Sequence, residues 1–237
     1  MANNLKKFNT VADYQAATLN YPAVSLIAAN YGVFFDKTAP TPTFGGLTVK
    51  YNIIDPTVEV QLFNGGGSSE SSSESGSGGG GGALPTTMIV DGNSETPINT
   101  WRFQTAGEHI VQYEFADNQI PENFMNGGGD KFPHLVGVEI GDAITSIGNS
   151  AFEANSHLTS ATIGSGVTSI GNNAFNGCSS LTSITVEAEY PPTLSNANAF
   201  DNTNNCPIYV PASVVDMYKI STSTGWNEYA SRIQAIQ

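Results

Sequence analysis

LVGVEIGDAITSIGNSAFEANSH (135–157) runs directly into LTSATIGSGVTSIGNNAFNGCSS (158–180), and LTSITVEAEYPPTLSNANAF (181–200) begins a third copy. The first two steps are each 23 residues long. Leu135, Leu158 and Leu181 correspond, as do Val138, Ala161 and Ile184, and then Ile140, Ile163 and Val186. Each copy therefore supplies one short strand with apolar side chains turned inward. A second apolar group, Ile144 and Ile147 or Val167 and Ile170, closes an opposite wall. Ala151–Phe152 and Ala174–Phe175 fill the space between, small beside large. A unit this short has two open faces that only its neighbours can cover, so the pattern predicts a stacked solenoid. Its structural core is Leu135, Ile140, Ile147, Phe152, Leu158, Ile163, Ile170, Phe175, Leu181 and Ile184. Gly148 and Gly171 serve a tight turn or a close backbone approach. Asn149 and Asn172 are placed to cap the turn that follows.

The third copy departs from the pattern. Tyr190-Pro191-Pro192 replaces the compact corner, and Asn196 to Asn205 lengthens the loop. CPIYVP (206–211) reads as a final edge strand, because its prolines limit pairing. In the tail, Met217, Tyr218, Trp226, Tyr229 and Ile233 are expected to cover the last open repeat. Trp226 and Tyr229 could alternatively form an aromatic binding patch. The repeat region 131–237 is expected to fold without the rest of the chain.

Ahead of the repeats, three further segments are distinguished. Residues 64–83, NGGGSSESSSESGSGGGGGA, contain no apolar residue before Ala83 and read as a flexible Gly/Ser/Glu linker. Residues 84–130 alternate as strands and read as a β-rich adaptor, with a turn at Ala106-Gly107. Residues 1–63 carry four lysines and four acids and are rich in aromatics. TVKYNII (48–54) and TVEVQLF (57–63) look like a strand pair. A segment this short has little core of its own. Phe8, Tyr14, Tyr21, Tyr31, Phe34 and Phe35 are therefore candidates to anchor it on copies of itself or on another protein.

The whole chain holds 8 basic and 21 acidic residues, a net charge of −13. No basic surface exists to neutralise phosphates, so nucleic acid is excluded as a partner. No stretch is long and apolar enough to span a bilayer, and the N-terminus lacks the apolar run of a signal peptide. Standard secretion is not expected. The two cysteines, Cys178 and Cys206, sit at apolar repeat positions and read as buried free thiols. The three histidines, His109, His134 and His157, have no metal-ligand spacing. His157 and Cys178 occupy nearly equivalent repeat positions, which raises and largely disposes of a nucleophilic pair: that cysteine slot is structural. Asp130, Glu139 and Asp142 match no calcium loop. No cofactor or catalytic site is expected, and the reading is a non-enzyme. The outward positions of the repeated strands, Glu139, Thr159, Ser160, Thr162, Thr182, Ser183 and Thr185, are the candidate binding face for a protein or glycan.

LTS-x-TI, G-VTSIG-x-x-AF and NGCSSLTSI resemble the BspA-type leucine-rich repeat of surface proteins in gut and oral bacteria, also found in some of their phages. The resemblance covers about residues 131–237. It implies a mainly β fold with short helices: a short leucine-rich-repeat solenoid, preceded here by the β-rich adaptor, the linker and a small α+β anchor. FNTVADYQAATLNYPAVSLIAANYGVFF (8–35) resembles N-terminal segments of head-fibre and other virion proteins of phages infecting Bacteroides-like bacteria, through Phe8, Thr10, Tyr14, Pro22, Val24, Ser25 and Ile27. That resemblance implies a virion structural protein on the capsid exterior. It would be anchored to capsid or other virion proteins, oligomeric (commonly trimeric in fibres), and would display the repeats to a host surface protein or glycan. The alternatives are a bacterial surface adhesin and an intracellular protein-binding scaffold.

Overall fold

The computed structural model describes residues 44–64, 84–196 and 198–237, which belong to one compact unit, Phe44–Gln237. Fifteen strands are present among them. Seven precede the repeats: β1 (Leu47–Ile53), β2 (Val60–Gln61), β3 (Thr87–Val90), β4 (Asn93–Glu95), β5 (Thr100–Trp101), β6 (Gly107–Glu114) and β7 (Gln119–Ile120). The repeats contribute β8 (Leu135–Ile140), β9 (Ser146–Ile147), β10 (Ser160–Ile163), β11 (Ser169–Ile170), β12 (Ser183–Val186) and β13 (Thr193–Leu194). The tail adds β14 (Ile208–Val210), the short helix α1 (Val215–Ile220) and β15 (Ile233–Ala235). Single 3-10 turns lie at Ala212–Val214 and Trp226–Tyr229.

Two walls face each other across one core. The larger is a nine-stranded sheet in the order β15-β14-β12-β10-β8-β1-β6-β3-β4, and the smaller is β13-β11-β9-β7. Within the repeats both walls are parallel and in register, so Val138, Ala161 and Ile184 are consecutive partners, as are Ser146 and Ser169. Between the walls Phe152, Phe175 and Phe200 stack at 5.1 and 5.6 Å, with near-parallel rings. Trp226 continues the column, 5.5 Å from Phe200, and its indole N–H donates to Pro192 O at 2.7 Å. Tyr218, Trp226, Tyr229 and Ile233 are buried and close the last repeat, whereas Met217 is exposed. This burial removes the aromatic-patch alternative for Trp226 and Tyr229.

The corners are built from backbone contact. A side chain at Gly171 would meet Asn149 N at 2.5 Å, and one at Gly148 would meet Glu122 N at 2.4 Å, so these glycines serve close approach. Asn149 does not cap its own turn. Its Oδ1 accepts the N–H of Asn172, one repeat on, at 2.8 Å. Ser150 and Asn173 take left-handed φ values of 54° and 55° before the Ala-Phe pair, a conformation that Asn tolerates better than most residues.

Three expected boundaries move. β1 does not pair with the 57–63 stretch. It lies between β6 and β8, antiparallel to both, while β2 pairs with β5. The physical reason is burial: Leu47, Val49, Tyr51 and Ile53 alternate inward and cover the open first face of the solenoid. Tyr51 and Phe63 are core residues here, so residues 44–63 belong with the repeats and not with a separate 1–63 segment. The 64–83 stretch joins two parts of the same unit, since Leu62 donates to Asn99 O, Asn64 to Phe124 O and Thr86 to Glu114 O. Residues 65–83 themselves lie outside the described residues. Nor is 84–130 separate from the repeats, because β7 within it pairs with β9 and extends the small wall. Finally, β14 is not the edge strand; β15 pairs outside it, and Pro207 and Pro211 only flank it.

Candidate interaction face

The candidate site is the solvent side of the nine-stranded sheet. Strand alternation sends every second side chain inward to the core, and the register lines up the remainder across strands. One row runs Thr48, Glu139, Thr162, Thr185, Tyr209. The adjacent row runs Lys50, Gly137, Ser160, Ser183. The structure thus brings together Glu139, Ser160, Thr162, Ser183 and Thr185. The hydroxyls of Ser160, Thr162, Ser183 and Thr185 make no hydrogen bond to the described residues. They stand on a floor whose backbone is already paired.

Thr159 and Thr182 do something different. Thr159 Oγ1 donates to Val136 O at 2.7 Å, and Thr182 Oγ1 donates to Thr159 O at 3.0 Å. These hydroxyls tie each repeat to the preceding one at the entry to its strand. Thr145 and Thr168 repeat the device at the small wall, donating to Asn118 O and Thr145 O. Thr48, Lys50 and Tyr209 were missed as face residues because they come from strands outside the repeat period. The alternation in LTVKYNI and IYV was the available signal.

Charge on the face is sparse. Lys50 Nζ is paired with the Glu139 carboxylate, both partly exposed, so the pair contributes less than about 1 kcal/mol. Gly137 leaves room for the lysine stem, since a Cβ there would meet Lys50 Cδ at 3.3 Å. At the margin of the face Glu187 has its carboxyl pushed above the ordinary range, by burial first and then by the charges of Asp142 and Glu139. On the opposite wall a shallow groove of about 370 Å³ is lined mainly by polar and small residues, including Gln119, Glu122, Ser146, Asn149, Ser169 and Ser195.

No nucleophilic pair forms. Cys178 is fully buried, its Sγ donates to Phe152 O at 3.1 Å, and burial pushes its thiol up to about 12. His157 is partly exposed and stands 4.0 Å from the Asp130 carboxylate. His109 is buried, with Nδ1 2.6 Å from Asp91 Oδ2 and Nε2 2.9 Å from Thr105 O, which fixes the β3–β4 turn against β6. Among the described residues no group of three His, Cys, Asp or Glu side chains could hold a metal ion. No helix among them is long and apolar enough to cross a membrane. The candidate anchor residues Phe8, Tyr14, Tyr21, Tyr31, Phe34 and Phe35 lie outside the described residues.

Residues 130–223 match the family described as BspA type leucine rich repeat region (6 copies). The C-terminal region is a BspA-type leucine-rich repeat domain. No curated protein matches the chain. BspA-type repeats are typically non-catalytic and generally mediate protein–protein interaction. Here the repeat type accounts for the two in-register walls and for the phenylalanine column between them.

Proposed function

We propose that this chain is a non-catalytic scaffold that binds a protein partner on the outer face of its nine-stranded sheet. The observation that carries this is the in-register group Ser160, Thr162, Ser183 and Thr185, whose hydroxyls are unengaged on a rigid, fully paired floor. Tyr209 lies beside Thr185 in the same row and supplies a partly exposed aromatic, a residue type enriched at protein interfaces. The Lys50–Glu139 pair at the other end offers both charges to a partner's polar rim. The family match supports a surface adhesin or protein-binding scaffold over a capsid-attached fibre. A virion location is supported by the resemblance of residues 8–35 alone.

The test is a pair of variants. Thr162→Arg with Thr185→Arg places two long cations on partly exposed, outward-facing sheet positions and should leave the melting temperature within a few degrees. Cross-linking and mass spectrometry on the native chain in its source cells should identify one dominant partner whose cross-links fall on β10, β12 and β14. That partner should be lost with the double variant. A partner cross-linked instead to the small wall, and retained by the double variant, would refute the assignment of the face.

A further inference from the structure

The two walls end differently at the C-terminal cap. The small wall is closed, because Leu194 in β13 donates to Thr224 O of the cap. Among the described residues the large wall is not: β15 is the terminal strand of the nine-stranded sheet and pairs only with β14. Arg232 O and Ile236 N bond to β14, at Ile208 N and Val210 O. By strand alternation the N–H and C=O groups of Ile233 and Ala235 point off the free edge. Such an edge is a template for another strand unless charge, proline or a bulge protects it. At the opposite end of the sheet β4 carries Glu95, with Pro97 two residues on. After Arg232 the sequence IQAIQ has neither charge nor proline, and the Arg232 guanidinium is already committed to Cys206 O, Phe200 O and Thr203 Oγ1.

Exposed apolar side chains lie on the elements next to this edge: α1 packs beside β15, and Met217 and Ile220 in α1 and Ile236 just after β15 are exposed, Ile220 by 74%. Charge separates this end from the rest. The chain carries −13, yet residues 203–237 hold only Asp216, Glu228, Lys219 and Arg232, which balance. A neutral, apolar patch of this kind lets two acidic copies approach without setting like charges against each other.

We infer that β15 and α1 form a self-association surface, on which a second copy of this chain adds its own β15 antiparallel across a two-fold axis. A two-fold interface uses the same patch twice. An uncharged strand edge can satisfy that requirement without setting like charges against each other. The large sheet then runs continuously through both copies, Met217, Ile220 and Ile236 are covered, and the two hydroxyl faces act on one bivalent particle.

Sedimentation of the full chain tests this. The mass should rise from 24.9 kDa toward twice that value as concentration increases. Ala235→Pro removes an N–H that points off the edge and leaves the β14 pairing in place. Ile220→Asp introduces a charge on exposed α1 surface. Each should raise the dimer dissociation constant at least about tenfold, and the circular dichroism of the dilute monomer should match that of the parent. Ile220→Asp keeps the test valid if the proline variant fails to fold. A parent chain that stays at 24.9 kDa up to about 100 µM overturns the inference. So does a dimer that persists in the folded variants, or one that dissociates only when residues 1–43 are removed.

Discussion

Replacing Phe175 by alanine tests the stacked core most directly. Its side chain is fully buried between Phe152 at 5.1 Å and Phe200 at 5.6 Å. Truncating a core phenylalanine costs about 3–5 kcal/mol, rising with the cavity that remains. Two features place this site at the upper end. Aromatic pairs contribute about 0.5–1.5 kcal/mol each beyond buried area, and this substitution removes two. The neighbours cannot collapse inward, because Phe152 N donates to Ala174 O and Phe175 N to Ala199 O, which holds the rungs apart. We expect a loss of about 4–5 kcal/mol, or a fall of about 8–20 °C in melting temperature for a unit of this size. Urea unfolding followed by circular dichroism gives the free energy, and calorimetry gives the temperature. Tyr190→Ala, at a side chain 77% exposed, is the control and should change stability by less than about 0.5 kcal/mol. A loss below about 2 kcal/mol at Phe175 would show that the column relaxes freely, and the two-wall packing argued above would be wrong.

Contrary to the expectation from sequence that residues 131–237 fold alone, that fragment should be poorly folded or aggregated, while 44–237 should melt cooperatively, because removing β1 and β7 strips both walls of the first repeat; a cooperative melt of 131–237 would overturn this. Cys178 should resist a thiol reagent such as DTNB in the native chain and react only on unfolding, given a thiol raised to about 12 by burial; rapid labelling of the folded protein would contradict it. Glu187 holds its proton more tightly folded than unfolded, so its contribution to stability is present below its ordinary value of 4.5 and is lost as pH rises through the folded value. Glu187→Gln should therefore raise the melting temperature at about pH 7 relative to that at about pH 4, compared with the parent; an unchanged relation would mean that burial and the charges of Asp142 and Glu139 do not perturb this carboxyl.

The repeat was legible because its chemistry is local and periodic. Leu135, Leu158 and Leu181 recur at one spacing, and each rung meets the next rung in sequence, so the period carries the contact map. The phenylalanine column could be read from Ala151–Phe152 and Ala174–Phe175 for the same reason. The candidate face was legible only within the repeats. Ser160, Thr162, Ser183 and Thr185 follow from alternation along the strand. That Thr159 and Thr182 use their hydroxyls on the preceding repeat does not, since it depends on where Val136 O and Thr159 O lie.

What the sequence alone determined was therefore the architecture of the periodic part, its inward and outward positions and its aromatic cap. The tertiary structure decided how the solenoid begins. LTVKYNI announces a half-buried strand but says nothing of its partners, and β1 finds them at β6 and β8, with Tyr51 opposite His109 on one side and Leu135 on the other. Pairing between segments this far apart is set by which apolar face remains uncovered once the repeats have stacked, a property of the assembled walls. The same holds at the other end. Trp226 and Ile233 can be foreseen as covering residues, but only the sheet order leaves β15 with an edge unpaired among the described residues while the neighbouring wall is closed by Thr224.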